Sequence, residues 1–249
     1  MTRTTVSSVR YYVHGAGRSG AQAWPEQAAE TAVFADHGSA GSAAEKAAAV
    51  GQQAPATPYA VVAHSLGAVI TVLAMRGHNL SPSHLVLVEP ALYDIARGNP
   101  AIEAHIEPMT RARDRAKKGD LFGYWQIVKP MLFGKTATGD AWDKDQEIAA
   151  RFASLEAPWG HQIDPAFARS VPTLVLTGGW NDEYEAIATV LAQAGASTVV
   201  LTGKDHRSKI TLTSTRPSKP SWQATAGDRT PPLWVRQGRV HQHRETQQV

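Results

Sequence analysis

The stretch Tyr59-Ala60-Val61-Val62-Ala63-His64-Ser65-Leu66-Gly67-Ala68-Val69-Ile70 decides the fold of this chain. An apolar, β-rich run from Tyr59 to Ala63 turns over at His64-Ser65-Leu66-Gly67. It then passes into a helical apolar stretch, Leu66 to Met75. A serine at such a turn stands proud of the sheet edge, at a helix N-terminus whose free N–H groups favour developing negative charge. The turn strains the serine backbone, so small residues are needed two before and two after it. Ala63 and Gly67 stand there, giving A-x-S-x-G where the usual pattern is G-x-S-x-G. The plainer reading of the same residues is a buried strand–helix turn with a capping serine.

Outward from this turn, apolar strands alternate with helices. Strands are expected at Val9–Val13, Thr31–Ala35, Tyr59–Ala63, Leu85–Val88, Thr173–Leu176 and Thr198–Leu201. Helices are expected over 21–30 (disturbed by Pro25), 43–50, 66–75 and 184–194, the last with Tyr184, Ile187, Ala188 and Leu191 on one face. Continuous apolar strands in this alternation predict an α/β fold: a doubly wound, mostly parallel sheet of about six strands, covered on both faces. Active sites of such sheets lie outside the carboxyl ends of the strands. His14, Asp36, Ser65, Glu89, Asp182 and His206 all follow strand ends.

Between the fourth and fifth strands, stripes at Ile102/Ile106/Met109, at Phe122/Trp125 with 127–131 ended by Pro130, and at Ile148/Phe152/Leu155 read as a helical cap over about 93–170. Its aromatics Phe122, Trp125, Phe133 and Trp159 either line an apolar substrate pocket or fasten the cap to the core. The α/β domain is taken as residues 1–210. The rest, 211–249, lacks apolar periodicity and reads as a basic, disordered tail.

Composition narrows the function classes. The 249 residues contain no cysteine, which excludes disulfides, thiolate catalysis and Cys-based zinc sites. The net charge is +3, but six Arg or Lys and two acids fall after Ile210, so the positive balance belongs to the tail. The body offers no basic stripe for nucleic acid. No apolar run reaches membrane-spanning length and the first residues lack an apolar leader core, so a cytoplasmic protein is expected. His241 and His243 have no matching carboxylate pair, so no metal is expected.

Acyl transfer by serine needs a nucleophile, a base, an acid that orients the base, and N–H donors for the oxyanion. The pieces His14-Gly15-Ala16-Gly17, Ala63-His64-Ser65-Leu66-Gly67, Gly178-Gly179-Trp180-Asn181-Asp182 and Gly203-Lys204-Asp205-His206-Arg207 stand in this order at strand ends. On these residues the chain resembles the α/β-hydrolase superfamily over roughly 9–207. The resemblance implies Ser65 as nucleophile and His206 as general base. It implies an oxyanion hole from the N–H groups of Ala16 and Leu66, with His14 shaping that loop. His14, His64 and Trp125 are the expected pocket residues. The acid stays open between Asp182, to which the glycine spacing leans, and Glu89 at the end of the preceding strand. The implied activity is a carboxylesterase-like serine hydrolase acting on a small-molecule ester or similar acyl compound, without cofactor.

Two rivals remain. Gly15, Gly17 and Gly20 after a strand, with Asp36 about twenty residues on, fit the dinucleotide-binding fingerprint. A catalytically inactive, hydrolase-like binder is the other, favoured by the lack of a recognisable closing helix after His206.

Overall fold

The structure is a computed structural model that describes residues 9–27, 32–77 and 79–203. Among the described residues six strands form one sheet: β1 (Val9–Val13), β2 (Ala32–Phe34), β3 (Tyr59–His64), β4 (His84–Val88), β5 (Thr173–Thr177) and β6 (Ser197–Val200). Their order is β2-β1-β3-β4-β5-β6, and every neighbouring pair is parallel. The α/β class is thus as expected, and the six described strands are all parallel.

The central strands are apolar on both sides because both sides are covered. Tyr11, Val13, Val61, Ala63, Leu85, Leu87 and Val175 pack with α1 (Ala43–Gln52), α2 (Leu66–Arg76) and α7 (Asp182–Gln193) in the larger core. Tyr12, Trp24, Val62, Val86, Val88, Leu174 and Leu176 form a second core on the opposite face. Helix α1 starts at a full capping box, Ser42 with Glu45.

Between β4 and β5 the described chain is helical: α3 (Pro100–Lys117), α4 (Leu121–Phe133), α5 (Trp142–Ser154) and the short α6 (Phe167–Ser170). Ile102, Ile106, Met109 and Ala112 are the buried stripe of α3. Asp94 draws the returning segment back, accepting from the N–H groups of Gly160 at 2.7 Å and His161 at 2.8 Å. Glu156 accepts from the Ala43 N–H at 2.6 Å and so ties the insertion to the start of α1.

Two expectations are corrected. The helix read over 21–30 is a four-residue 3-10 turn, Gly20–Ala23, after which the described residues to 27 are not helical. Pro25 lacks the N–H that a continuing helix would use. Pro130 does not end its helix, because α4 runs on to Phe133 and stops at Gly134 in the left-handed conformation (φ 63°). Near a helix end, Pro130 loses only one backbone bond, and its own carbonyl still accepts from Gly134. His206 and the segment 211–249 lie outside the described residues.

Candidate active site

The strand register gathers the site. His64 pairs with Val88, and Val88 with Leu176, so Ser65, Glu89 and Thr177 follow side by side at one edge of the sheet. Ser65 sits between β3 and α2 at φ 53°, ψ −122°, a strained conformation for a residue with a side chain. Its backbone is held from both sides. The Ser65 N–H donates to Val88 O at 3.0 Å, and Ser65 O accepts from Ala68 and Ala91.

The glycine two after the serine is a steric requirement. A Cβ on Gly67 would lie 2.5 Å from His14 O and 2.6 Å from Val13 O, because the first turn of α2 crosses the end of β1 at backbone contact. Gly15 is nearly as tight, with His64 and the Ser65 Cβ each at 3.1 Å from where its Cβ would stand. The His14-Gly15-Ala16 loop is therefore pressed against the serine turn. Leu66 is the first residue of α2, so its N–H has no intrahelical acceptor.

His14 is buried, its Nδ1 2.8 Å from Gly15 O. Its ring stacks on His37 at 3.7 Å between centroids, and the His37 Nε2–H donates to His14 O at 3.1 Å. Burial holds His37 below the usual histidine range, against the pull of its two carbonyl neighbours. His64 is also buried, with its ring edge-on to Trp24 at 6.2 Å.

Glu89 follows β4 at φ 46° and is fully shut off from solvent. Its Oε1 accepts from the Gly178 N–H at 2.5 Å. Burial pushes its carboxyl up to about 7, outweighing the Gly178 N–H and the Trp180 side chain, which favour the ionised form. Asp182 is the exposed first residue of α7, after the N-cap Asn181. Trp125 lies inside the insertion, its indole N–H on Asp145 at 2.9 Å and its ring against Phe133 and Phe152. Phe122 pairs with Trp142. Trp159, by contrast, stands edge-on to Tyr93 and His105.

Sequence reading did not single out as site residues four side chains that the fold brings together, Tyr93, His105, Glu183 and Tyr184, of which Tyr184 lies against Ser65. Tyr184 meets the side chains of Ser65 and Tyr93, and Tyr93 meets Glu183. Of the three acids opening α7, only Glu183 is buried. The apolar spacing of α7 hinted at Tyr184, but nothing local set Glu183 apart from Asp182 and Glu185.

Gly15, Gly17 and Gly20 lead into a four-residue 3-10 turn, without the helix whose N-terminus would hold a pyrophosphate. Asp36 closes its own loop on the Gly38 N–H at 3.0 Å and lies 3.8 Å from the His14 ring. Among the described residues, no group of three or more His, Asp or Glu is placed to hold a metal ion, and no helix is long and apolar enough to cross a membrane. A cleft of about 410 Å³ lies elsewhere, between α1 and α2, lined by Ser42, Leu73, Arg76 and His161 among others.

Comparison with known proteins agrees with this architecture. The model of the alpha/beta hydrolase family matches residues 3–219. Among solved structures, the chain is similar to a hydrolase from Oleispira antarctica (13% identity, TM-score 0.57, 82% of this chain and 86% of that one). It is similar to MenH from S. aureus (12%, TM-score 0.55, 82% and 88%) and to a bromoperoxidase from Bacillus anthracis (13%, TM-score 0.53, 81% and 86%). At these identities the likeness is one of fold. A comparison with curated protein sequences gives no significant match.

Proposed function

This chain belongs to the alpha/beta hydrolase family, and from that premise we propose that it is a serine hydrolase cleaving an ester or similar acyl compound of modest size. The observation that carries the reading is Ser65 itself. It stands at positive φ between a parallel strand and a helix, and the chain crosses beneath it at a glycine that admits no Cβ. Backbone strain of this kind costs on the order of 1–3 kcal/mol and persists where surrounding structure enforces it.

In this reading Ser65 Oγ attacks the substrate's carbonyl carbon and His206 takes the hydroxyl proton. The N–H groups of Leu66 and Ala16 receive the negative charge that develops on the carbonyl oxygen. The His206 proton then passes to the leaving alcohol as the acyl–oxygen bond breaks. Water, giving its proton to the same histidine, releases the acid and restores Ser65. His206 enters from its place in the sequence, three residues after Gly203.

Glu89 is the acid that orients the histidine, in preference to Asp182. Glu89 is next in register to Ser65 and sealed from water, where a carboxylate's charge acts most strongly on a neighbour. Asp182 is exposed and spends its charge on the start of α7.

The test is labelling of the purified protein with a fluorophosphonate probe, read by intact mass, with Ser65→Ala beside it. One adduct on the wild type and none on the variant is the expected result. A folded wild type that takes no adduct would leave a hydrolase-like binder as the better reading.

A further inference from the structure

The cleft between α1 and α2 stands apart from the chemistry of Ser65, and it carries a cation without a counter-charge. Ser65 and Arg76 stand at opposite ends of α2, about 16 Å apart along its axis. The cleft lies toward the Arg76 end and holds about 410 Å³, within the range of small-molecule sites. Side-chain size opens it. Ala44, Ala47 and Ala48 of α1 bring only methyl groups to the lining, opposite Leu73 of α2. Beyond it the chain closes up again, since a Cβ on Gly51 would lie 2.6 Å from the Asn79 Cβ. The lining is thus apolar along the two helices, with polar groups where the returning segment brings Glu156 and His161.

Arg76, the last residue of α2, lines the same cleft. Its Nη1 donates to His161 O at 2.9 Å and to Gln162 O at 3.4 Å. Gln162 stands at φ 55°, so the segment keeps a strained backbone turn where it meets the guanidinium. Two carbonyls hold one nitrogen in place and neutralise no charge. The Nε and Nη2 edge has no partner among the described residues. Arg97 shows what such an edge fits, donating to Glu103 from Nε at 2.8 Å and from Nη2 at 3.0 Å. The acid in the cleft lining is spent elsewhere. Glu156 accepts from the Ala43 N–H at 2.6 Å and lies in the field of the buried Lys46.

We propose that this cleft binds a small amphiphilic carboxylate, of the kind of a short-chain fatty acid. Its carboxylate takes the Nε and Nη2 edge of Arg76 side-on, and its apolar chain lies along Ala44, Ala47, Ala48 and Leu73. With Arg76 as the cation to match, a monoanion suits the cleft better than a phosphate dianion, whose second charge would stay unpaired. The site stands whether or not Ser65 is a nucleophile.

The experiment is titration of the isotope-labelled full chain with hexanoate, read by nuclear magnetic resonance at the backbone N–H of Gly77, which also lines the cleft. Neutral hexanamide and the variants Arg76→Met and Ala44→Glu are titrated beside it. Arg76 and Ala44 are exposed, and a carboxylate in the first turn of α1 favours the helix, so both variants should fold, as circular dichroism will check. For wild type a saturable shift with a Kd of about 1 mM is expected with hexanoate. Hexanamide on wild type, and hexanoate on Arg76→Met, should bind about tenfold more weakly, the worth of a hydrogen bond to a charged group. Ala44→Glu, which fills the lining and repels an anion, should weaken hexanoate by at least as much. No saturable shift in wild type, equal affinity for hexanamide, or wild-type affinity in either folded variant overturns the inference.

Discussion

Strands β4 and β5 run side by side in one direction, and each is followed by a carboxylate, yet the two groups meet opposite surroundings. Glu89 is the first residue past β4, at positive φ, with no exposed surface and a backbone N–H of the β5 end on its carboxyl. Asp182 comes five residues past β5, as the exposed first residue of α7. The difference shows what sets a side chain's direction at a sheet edge. Next to a strand, the neighbouring strand's backbone does so, and here it turns the carboxyl inward at a free-energy cost. One turn further on, the helix frame does so. There a carboxylate facing water gains a modest ~0.3–1 kcal/mol from the helix N-terminus. A buried carboxyl with a displaced pKa at the edge of a candidate catalytic site is the one with a physical claim to function.

The largest effect expected from this contrast is on acylation. Glu89→Gln should slow Ser65 labelling by roughly a thousand- to ten-thousandfold, the scale seen when a triad acid loses its charge. Asp182→Asn should stay within a factor of about two. Labelling rates for the two variants in parallel decide the matter, and the reverse pattern would move the acid to α7.

The same carboxyl should be visible in stability. The folded-state pKa of Glu89 is raised to about 7. Between the unfolded carboxyl value and that point, the folded protein therefore binds more protons than the unfolded one. Stability is highest below the unfolded value and falls as pH rises through about 7, by on the order of 3 kcal/mol for a shift of this size. Urea unfolding at about pH 5 and about pH 8 should show the loss in wild type and a flatter profile in Glu89→Gln.

The neighbouring strand sharpens the lesson with a backbone contact in place of a charge. Gly67→Ala drives a methyl into the carbonyls of Val13 and His14 and should cost about 2–3 kcal/mol. Gly17→Ala, where a Cβ meets nothing within 4 Å, should cost less than ~0.5 kcal/mol. Paired thermal melts test this, and equal losses would mean that the loop after β1 is as constrained as the serine turn.

The features readable along the chain were the local ones. Val61-Val62-Ala63 and Leu85 to Val88 are apolar at every position, which already implies strands buried on both faces. Ser65 between such a strand and an apolar helical run announces its turn, and the need for a small residue at 67 follows from that turn alone. Pro130 misled because a proline reads as a stop, whereas in α4 the packing of Tyr124, Trp125 and Val128 carried the helix past it. Trp125 and Trp159 looked alike in the sequence. One is sealed between α4 and α5, and the other faces Tyr93 and His105.

By itself, then, the sequence determined the alternation of strands and helices, the parallel sheet and the position of Ser65, because each depends on periodicity and sterics within a dozen residues. The tertiary structure decided which carboxylate is shut away from water and which side chains meet the serine. Glu89 acquires its N–H donor from Gly178, and Glu183 its histidine from position 105. Partners separated by nearly eighty residues or more meet only after β4 and β5 have paired and the intervening helices have folded back over their ends.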